Sequence, residues 1–332
     1  MHAIPSPYAR RGRPASALAS LQRRMMLLST GVATAWLWGA WAWSPFWAVT
    51  GLVLMGWGHS AVLAVEFFWS ARINRSDSVP QASRAQLFEA WREEATLTPT
   101  IFFWRQPFLW RALPDSAPGD SASITGASAA VLVHGFVCNR GFWAPWMQAM
   151  RHAGVPYTSV NLEPVFGSID DGVALIEEAV AQAERLGAEP PVLVCHSMGG
   201  LAARAWLASA PGNLARVGRV ITIGSPHHGT WLARWSRVTN GRQMRQHSEW
   251  LRALAARETE WHGERAYSKF VCWYSNADHI VFPASTAMLP GAEHRHVPGM
   301  AHVALGFHPT VMGESLAMLV PASTSVEART AS

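Results

Sequence analysis

This 332-residue chain reads as an α/β protein in which a mostly parallel, doubly wound sheet follows an N-terminal two-helix transmembrane hairpin. Two observations carry that reading. From Ala129 onward, short apolar runs alternate with helical patterns, the texture of parallel strands joined by crossover helices. Ahead of them, two runs almost free of charge stand back to back around Ser44-Pro45. At ~1.5 Å per residue each run can cross a hydrocarbon core of ~30 Å. Composition agrees, with 49% hydrophobic against 15% charged residues, an imbalance that points to membrane contact.

The N-terminal tail, residues 1–24, carries Arg10, Arg11, Arg13, Arg23 and Arg24. Nearly all of the net charge of +5 is arginine, Lys269 being the only lysine. A nucleic-acid partner is not indicated, because that reading needs basic residues and aromatics gathered on one folded face. The hairpin occupies 25–70, with one run from Met25 to Trp43 and the next from Phe46 to Trp69. A signal peptide is a poor account, since the apolar stretch is too long, is doubled and has no clear small-residue cleavage site. Arginines precede the first run, and Arg72, Arg75 and Arg84 follow the second, while Trp41, Trp43 and Trp47 surround the uncharged turn. Arginine flanks favour the cytoplasmic side and tryptophan the interface, so both ends of the hairpin, and the rest of the chain, are expected to face the cytoplasm. His59 and Glu66 are the ionisable residues of the second run. An intramembrane role is one reading of them, and a Glu66 that reaches the interface is the other.

Residues 71–128 connect hairpin to sheet: a helical pattern from Ala85 to Glu94, an extended, membrane-grazing T-I-F-F-W-R-Q-P-F-L-W, and a Pro/Gly/Ser/Ala loop from Pro114. The domain at 129–320 then runs through A-A-V-L-V-H as a strand and Phe142 to His152 as a helix. Y-T-S-V-N is a strand, Ile169 to Leu186 an amphipathic helix, P-V-L-V-C a strand and Met198 to Ala210 a helix. R-V-I-T-I-G, F-V-C-W-Y-S and H-R-H-V are further strands, and Leu305 to Val320 is a last helix. The polar tail, 321–332, reads as disordered. Cys138, Cys195 and Cys272 show neither metal-ligand spacing nor a disulfide framework. The histidines at 227, 228, 294 and 296 lack ligand spacing and a Cys or carboxylate partner, so neither metal nor cofactor is expected. Nothing in the pattern bears on oligomeric state.

Ligand chemistry on an open parallel sheet gathers at the carboxyl ends of the strands. The first strand is followed by His134-Gly135-Phe136, where a glycine lets the Phe136 amide approach an oxyanion. P-V-L-V-C leads into His196-Ser197-Met198, placing a serine at a helix start and the Met198 amide at its positive end. Asp278 follows F-V-C-W-Y-S, and His302 lies in a loop beyond H-R-H-V. A serine hydroxyl needs a base, an orienting acid and oxyanion donors to act as a nucleophile, and the chain order Ser197, Asp278, His302 supplies them. Taken alone, Ser197 reads equally well as a helix N-cap, Asp278 as a turn residue and the other histidines as packed or locally bonded groups. Glu293 is the rival acid, but it stands too near the last strand and His302.

The segment from Ala129 to Leu319 resembles the α/β-hydrolase superfamily, and within it the bacterial lipases and carboxylesterases. The residues that carry the likeness are H-G-F at 134–136, H-S-M-G-G at 196–200, G-S-P-H-H-G-T at 224–230, S-N-A-D-H-I-V-F-P at 275–283 and G-M-A-H-V-A-L at 299–305. The resemblance implies Ser197 as nucleophile, His302 as base, Asp278 as acid, and the Phe136 and Met198 amides as oxyanion donors. It implies a lipid or other acyl-ester substrate, with His134, Gly135, His196, Trp231 and Trp235 as binding candidates and the insertion at 230–265 as a lid or acyl wall. Packing helices are the plain alternative for that insertion. Cys195 departs from the family's Gly-x-Ser-x-Gly, which puts the geometry of the turn in question. Acyl transfer or thioester hydrolysis by the same residues, and a non-catalytic membrane-associated hydrolase fold, remain the alternatives.

Overall fold

The computed structural model describes residues 16–119 and 126–320. The arginines at 10, 11 and 13, part of the Pro/Gly/Ser/Ala loop and the polar tail from Pro321 lie outside the described residues.

Helices α1 (Ala17–Trp41) and α2 (Pro45–Ile73) form a hairpin. Ser16 starts α1 by accepting the Ala19 N–H, and Pro45 opens α2 where its missing N–H costs nothing. The outer ends of the hairpin dock on the rest of the chain. Leu18 and Ala19 are buried, the Ala17 N–H donates to Glu163 Oε1 at 2.7 Å, and Arg23 Nη1 donates to Pro107 O at 2.7 Å. At the other end Ser70 Oγ donates to Asp278 O at 2.7 Å, and Asn74 Oδ1 accepts the Ala284 N–H at 3.0 Å. Between these anchors Leu28, Trp38, Trp43, Phe46 and Leu54 stand exposed. The sequence reading gives a membrane span to each run. Among the described residues one helix, Pro45–Ser76 with a mean hydropathy of 1.6, is long and apolar enough to cross a membrane. In α1 the residues Ser29, Thr30, Thr34, Trp36 and Trp38 dilute the aliphatic content.

Helix α3 (Arg84–Pro99) opens on a reciprocal capping box between Ser83 and Gln86. The aromatic stretch after it is not extended, as its composition suggests, but continues as a π-helix over Thr100–Leu109. Pro99 offers no N–H to Ala95 O, and His59 Nε2 of α2 lies 3.1 Å from that carbonyl, where its Nε2–H tautomer donates the bond that proline removes.

The sheet comprises β1 (Ser128–Val133), β2 (Tyr157–Ser159), β3 (Glu189–His196), β4 (Arg219–Ile223), β5 (Phe270–Tyr274) and β6 (Glu293–His296). Their order is β2-β1-β3-β4-β5-β6, with every neighbouring pair parallel. Around it lie α4 (Ala144–His152), α5 (Val173–Ala183), α6 (Met198–Leu207), α7 (Thr239–Gln243), α8 (Glu249–His262), α9 (His302–Leu305) and α10 (Pro309–Ala317). Strand alternation divides the core. Leu193 and Cys195 of β3 face Ile176, Leu201, Trp206 and Leu251, while Val192 and Val194 face Trp146, Met150 and Val311. The final helical pattern, read as one helix from Leu305, breaks instead at Gly306 and restarts at Pro309, so α9 and α10 are separate. His302 therefore opens α9 rather than standing in a loop.

Within 230–265, Leu251 and Leu254 of α8 are buried. Arg204 of α6 makes a fully buried two-pronged bond to Glu258 of α8, at 2.8 and 2.6 Å, and donates to His227 O at 2.7 Å. The helices of this insertion pack against the first core layer.

Candidate active site

β3 ends in a tight turn. Ser197 adopts φ +54° and ψ −127°, a conformation that only neighbouring structure can hold for a residue with a side chain. Its N–H donates to Ile223 O at 2.9 Å, which ties the turn to β4, and α6 begins at the next residue. Two glycines permit this closeness. A methyl group at Gly199 would overlap Val133 O, and one at Gly200 would overlap Ser225 Oγ. Cys195 is fully buried in the first core layer, and burial pushes its thiol up. The turn thus reaches its positive φ with cysteine where the family pattern has glycine.

Gly135 brings the loop after β1 against this serine, for a Cβ there would lie 2.8 Å from Ser197 Cβ. Phe136 follows it on the cavity wall, and Val137 adopts φ +52°, a strained value for a β-branched residue. His134 is buried below, donating from Nδ1 to Gly135 O and accepting the Leu162 N–H at Nε2, both at 2.9 Å. It braces the loop, and burial holds its pKa down at about 4.

Asp278 and His302 meet beyond β5 and β6. His302 Nδ1 donates to Asp278 Oδ2 at 2.8 Å, while Asp278 Oδ1 accepts the N–H groups of Ile280 and Val281, both at 2.8 Å. Burial of Asp278 favours its neutral form, but the charge and hydrogen bond of His302 outweigh it and lower its pKa. For His302, burial disfavours the imidazolium, yet Asp278, with Glu94 and Glu66 behind it, raises its pKa overall. Gly224, at φ +56°, lies flat against the pair, since a Cβ there would approach Asp278 Oδ2 at 3.1 Å and His302 Nδ1 at 3.2 Å. His196 stacks on Phe142 and holds the His302 carbonyl at 3.1 Å through Nε2.

Ser197, His196 and His302 line one cavity of about 430 Å³. Its remaining walls come largely from the N-terminal segment: Val62, Leu63 and Glu66 of α2, Glu94 and Thr98 of α3, and Phe102 and Phe103 of the π-helix. No residue of 230–265, expected as a lid or acyl wall, is among the described lining of this cavity. Trp231 and Trp235 are not among the residues lining this cavity. Trp231 stacks on Trp69 at 5.1 Å and Trp235 is exposed.

Sequence reasoning gave no part to Glu94 or His279. Glu94 is fully buried and accepts the Val303 and Ala304 N–H groups at 2.9 and 3.0 Å, capping the helix that His302 opens. Burial raises its pKa to about 7 against the lowering pull of those amides and of His302. His279 Nε2 lies 3.6 Å from Glu66 Oε2 and 3.7 Å from Glu94 Oε1, while its ring stacks on Phe67 at 4.6 Å. Burial drives its pKa down to about 3 despite Asp278, so these contacts join a neutral imidazole to carboxyl groups rather than forming ion pairs at neutral pH. Glu66, a lone acid in an apolar run, was the one visible sign of this cluster.

The arrangement offers a strained serine, an imidazole oriented by a carboxylate and a glycine-thinned loop around a largely apolar cavity, the groups that acyl transfer to a hydroxyl requires. A search of curated proteins found no match. Among solved structures, lipase B of Aspergillus fumigatus is similar at 18% identity and a TM-score of 0.53, the match covering 62% of this chain and 56% of that one. The mature form of the lipase BlEst2 of Bacillus licheniformis is similar at 16% identity and a TM-score of 0.50, covering 62% of this chain and 96% of that one. Both likenesses are of fold. A model of the alpha/beta hydrolase family matches residues 130–320, more than half of the chain. The chain belongs to the alpha/beta hydrolase family.

Proposed function

We propose that the protein is a membrane-anchored serine ester hydrolase of lipase or carboxylesterase type. Ser197 Oγ attacks the ester carbonyl while His302 takes its proton, and Asp278 stabilises the imidazolium that forms. The Phe136 and Met198 amides receive the oxyanion, the latter at the positive end of α6. His302 then protonates the departing alcohol, and a water activated by the same imidazole releases the acid from Ser197. No cofactor enters these steps. The observation that carries the reading is the convergence of Ser197, at φ +54°, and the bonded His302–Asp278 pair on one cavity.

The α2 helix supports anchoring in the bilayer, with α1 as its partner. The outer ends of both helices are bonded to the α/β domain, which supports a domain held on one side of the membrane. The arginines flanking the hairpin favour the cytoplasmic side of a bacterial inner membrane. A fluorophosphonate probe tests the chemistry: wild type labels and Ser197→Ala does not, and equal labelling sinks the assignment. A C-terminal tag tests the orientation, for cleavage by protease added outside intact cells reverses it.

A further inference from the structure

The walls of the cavity differ from its floor. The floor is the reacting end, Ser197 and His302. Val62 of α2 and Phe103 of the π-helix line the cavity and are 59% and 49% exposed, which marks them as its rim. Their neighbours along the same elements, Val65, Phe68, Trp104 and Phe108, are exposed apolar residues too. The opening is therefore framed by the same apolar surface that runs up the hairpin. Ser70 fixes where α2 meets the Asp278 loop, and Val62 stands eight residues earlier, about 12 Å further up the helix. With α2 in a bilayer, an opening there stands at the membrane boundary, because Trp91 of α3 meets Ser60 at the same height and its neighbours Glu89 and Arg92 are exposed and charged. Between rim and floor, Leu63 and Phe102 provide apolar wall.

The ionisable groups of the wall set a second constraint. Glu66 and Glu94 line the cavity, and no lysine or arginine is among its described lining residues. Both Glu94 oxygens are taken by the amides of α9, so Glu66 is the carboxyl group that a ligand meets. A phosphate-bearing headgroup would enter a low-dielectric site beside two acidic side chains, with no lysine or arginine among the described lining residues to pair it. An uncharged alcohol portion instead brings hydroxyl donors that Glu66 accepts.

We infer that the cavity binds an uncharged long-chain acyl ester that passes sideways out of the bilayer between α2 and the π-helix, through the opening at Val62 and Phe103. This rests on the hydrolase reading of Ser197 and adds to it the substrate class and the route. The test uses the full chain reconstituted in phosphatidylcholine vesicles. Substrates are water-soluble p-nitrophenyl butyrate, 1-oleoylglycerol dissolved in the vesicles, and its phosphorylated counterpart 1-oleoyl lysophosphatidate. The readout is the ratio of kcat/KM values. Val62→Trp overfills the opening and is expected to lower the oleoylglycerol-to-butyrate ratio about tenfold or more. Leu28→Trp, on the lipid-facing part of α1 away from the cavity, is expected to leave the ratio as in wild type. Wild type is expected to favour oleoylglycerol over lysophosphatidate about tenfold or more, and Glu66→Gln to narrow that preference. An unchanged ratio in Val62→Trp, a wild-type preference for lysophosphatidate, or cleavage of butyrate with none of oleoylglycerol overturns the inference alone. A wild type that cleaves no ester and takes no fluorophosphonate label overturns the hydrolase reading and this inference with it.

Discussion

Gly135→Ala separates the oxyanion loop from the rest of the site. The alanine Cβ falls 2.8 Å from Ser197 Cβ and 3.1 Å from His196 O, where carbon contacts ordinarily settle near ~3.5–4.0 Å. Something must yield by roughly 0.7–1.2 Å. Ser197 is the firmer partner, held by the Ile223 carbonyl and by the start of α6, so the loop retreats and carries the Phe136 amide with it. Gly135 is not one of the glycines with positive φ, so the substitution adds no left-handed strain. A displacement near 1 Å, or loss of one oxyanion donor, costs about 10²-fold to 10³-fold in rate. The expected result on a soluble ester is therefore a kcat down about a hundredfold, with KM little changed and the thermal midpoint lowered no further than by an equal overlap elsewhere. Gly187→Ala is the control: its Cβ would lie 2.8 Å from the Ala129 backbone nitrogen, an equal overlap away from the site, and it should lower the midpoint while sparing kcat. A Gly135→Ala enzyme within threefold of wild-type kcat would falsify the assignment of Phe136 as an oxyanion donor.

Three further outcomes follow from the same geometry. Hydrolysis needs neutral His302, whose pKa is raised mainly by Asp278 against the opposing effect of burial, so the acid limb of kcat/KM should lie above the ordinary imidazole value. Asp278→Asn should move that limb to lower pH and cut kcat by about 10³-fold to 10⁴-fold, and a limb that stays put in a pH-rate profile argues against the pair. Glu94 binds its proton more tightly folded (about 7) than unfolded (4.5), so folding stability falls as pH rises through that window. Denaturant titrations should show the wild type losing about 3 kcal/mol relative to Glu94→Gln between those pH values, and a constant difference refutes the shift. Arg204→Met strands the buried Glu258 carboxylate and should cost about 3–5 kcal/mol by urea midpoint, much of it regained when Glu258→Leu is added. If the single variant is as stable as wild type, α8 is not the packing element described above.

The residues that the proposal makes reactive could be picked out in the sequence because their signals are local. A strand that ends in Gly, Ser, Asp or His needs only its own neighbours to mark it, and parallel topology brings those ends together. The bond between Asp278 and His302, formed across 24 residues, follows from two adjacent strands, β5 and β6. The wall of the cavity had no such signal. Glu94 meets the Val303 amide across 209 residues of chain, and nothing near Glu94 distinguishes it from the solvated acids Glu89 and Glu93 beside it. The π-helix was hidden for a different reason. Pro99 and Pro107 argue against a helix from sequence alone, and the contact of His59 with the Ala95 carbonyl that Pro99 leaves without its helical donor is a tertiary one that no local pattern marks. The tryptophans at 231 and 235 do not line the cavity of Ser197 and His302, for aromatic content marks burial or contact without saying what is touched, and Trp231 stacks on Trp69.

The hairpin and the catalytic domain cannot be treated as anchor and cargo. Ser70 holds the carbonyl of Asp278 itself, Asn74 and Asp77 hold the backbone of Ala284 and Ser285 on the following loop, and Glu94 holds the helix that begins with His302. Each of these bonds runs from the N-terminal segment to the acid or base side of the reacting group, and none to the Ser197 turn, which is held from within the sheet. Detaching the segment would leave the serine turn and its glycines in place. It would also leave the Asp278 loop and α9 with buried N–H groups unmatched, at about 1–3 kcal/mol for each. The base would lose its orientation before the fold lost its core. The same helices wall the cavity, so the segment proposed to hold the protein in a membrane also completes the proposed site.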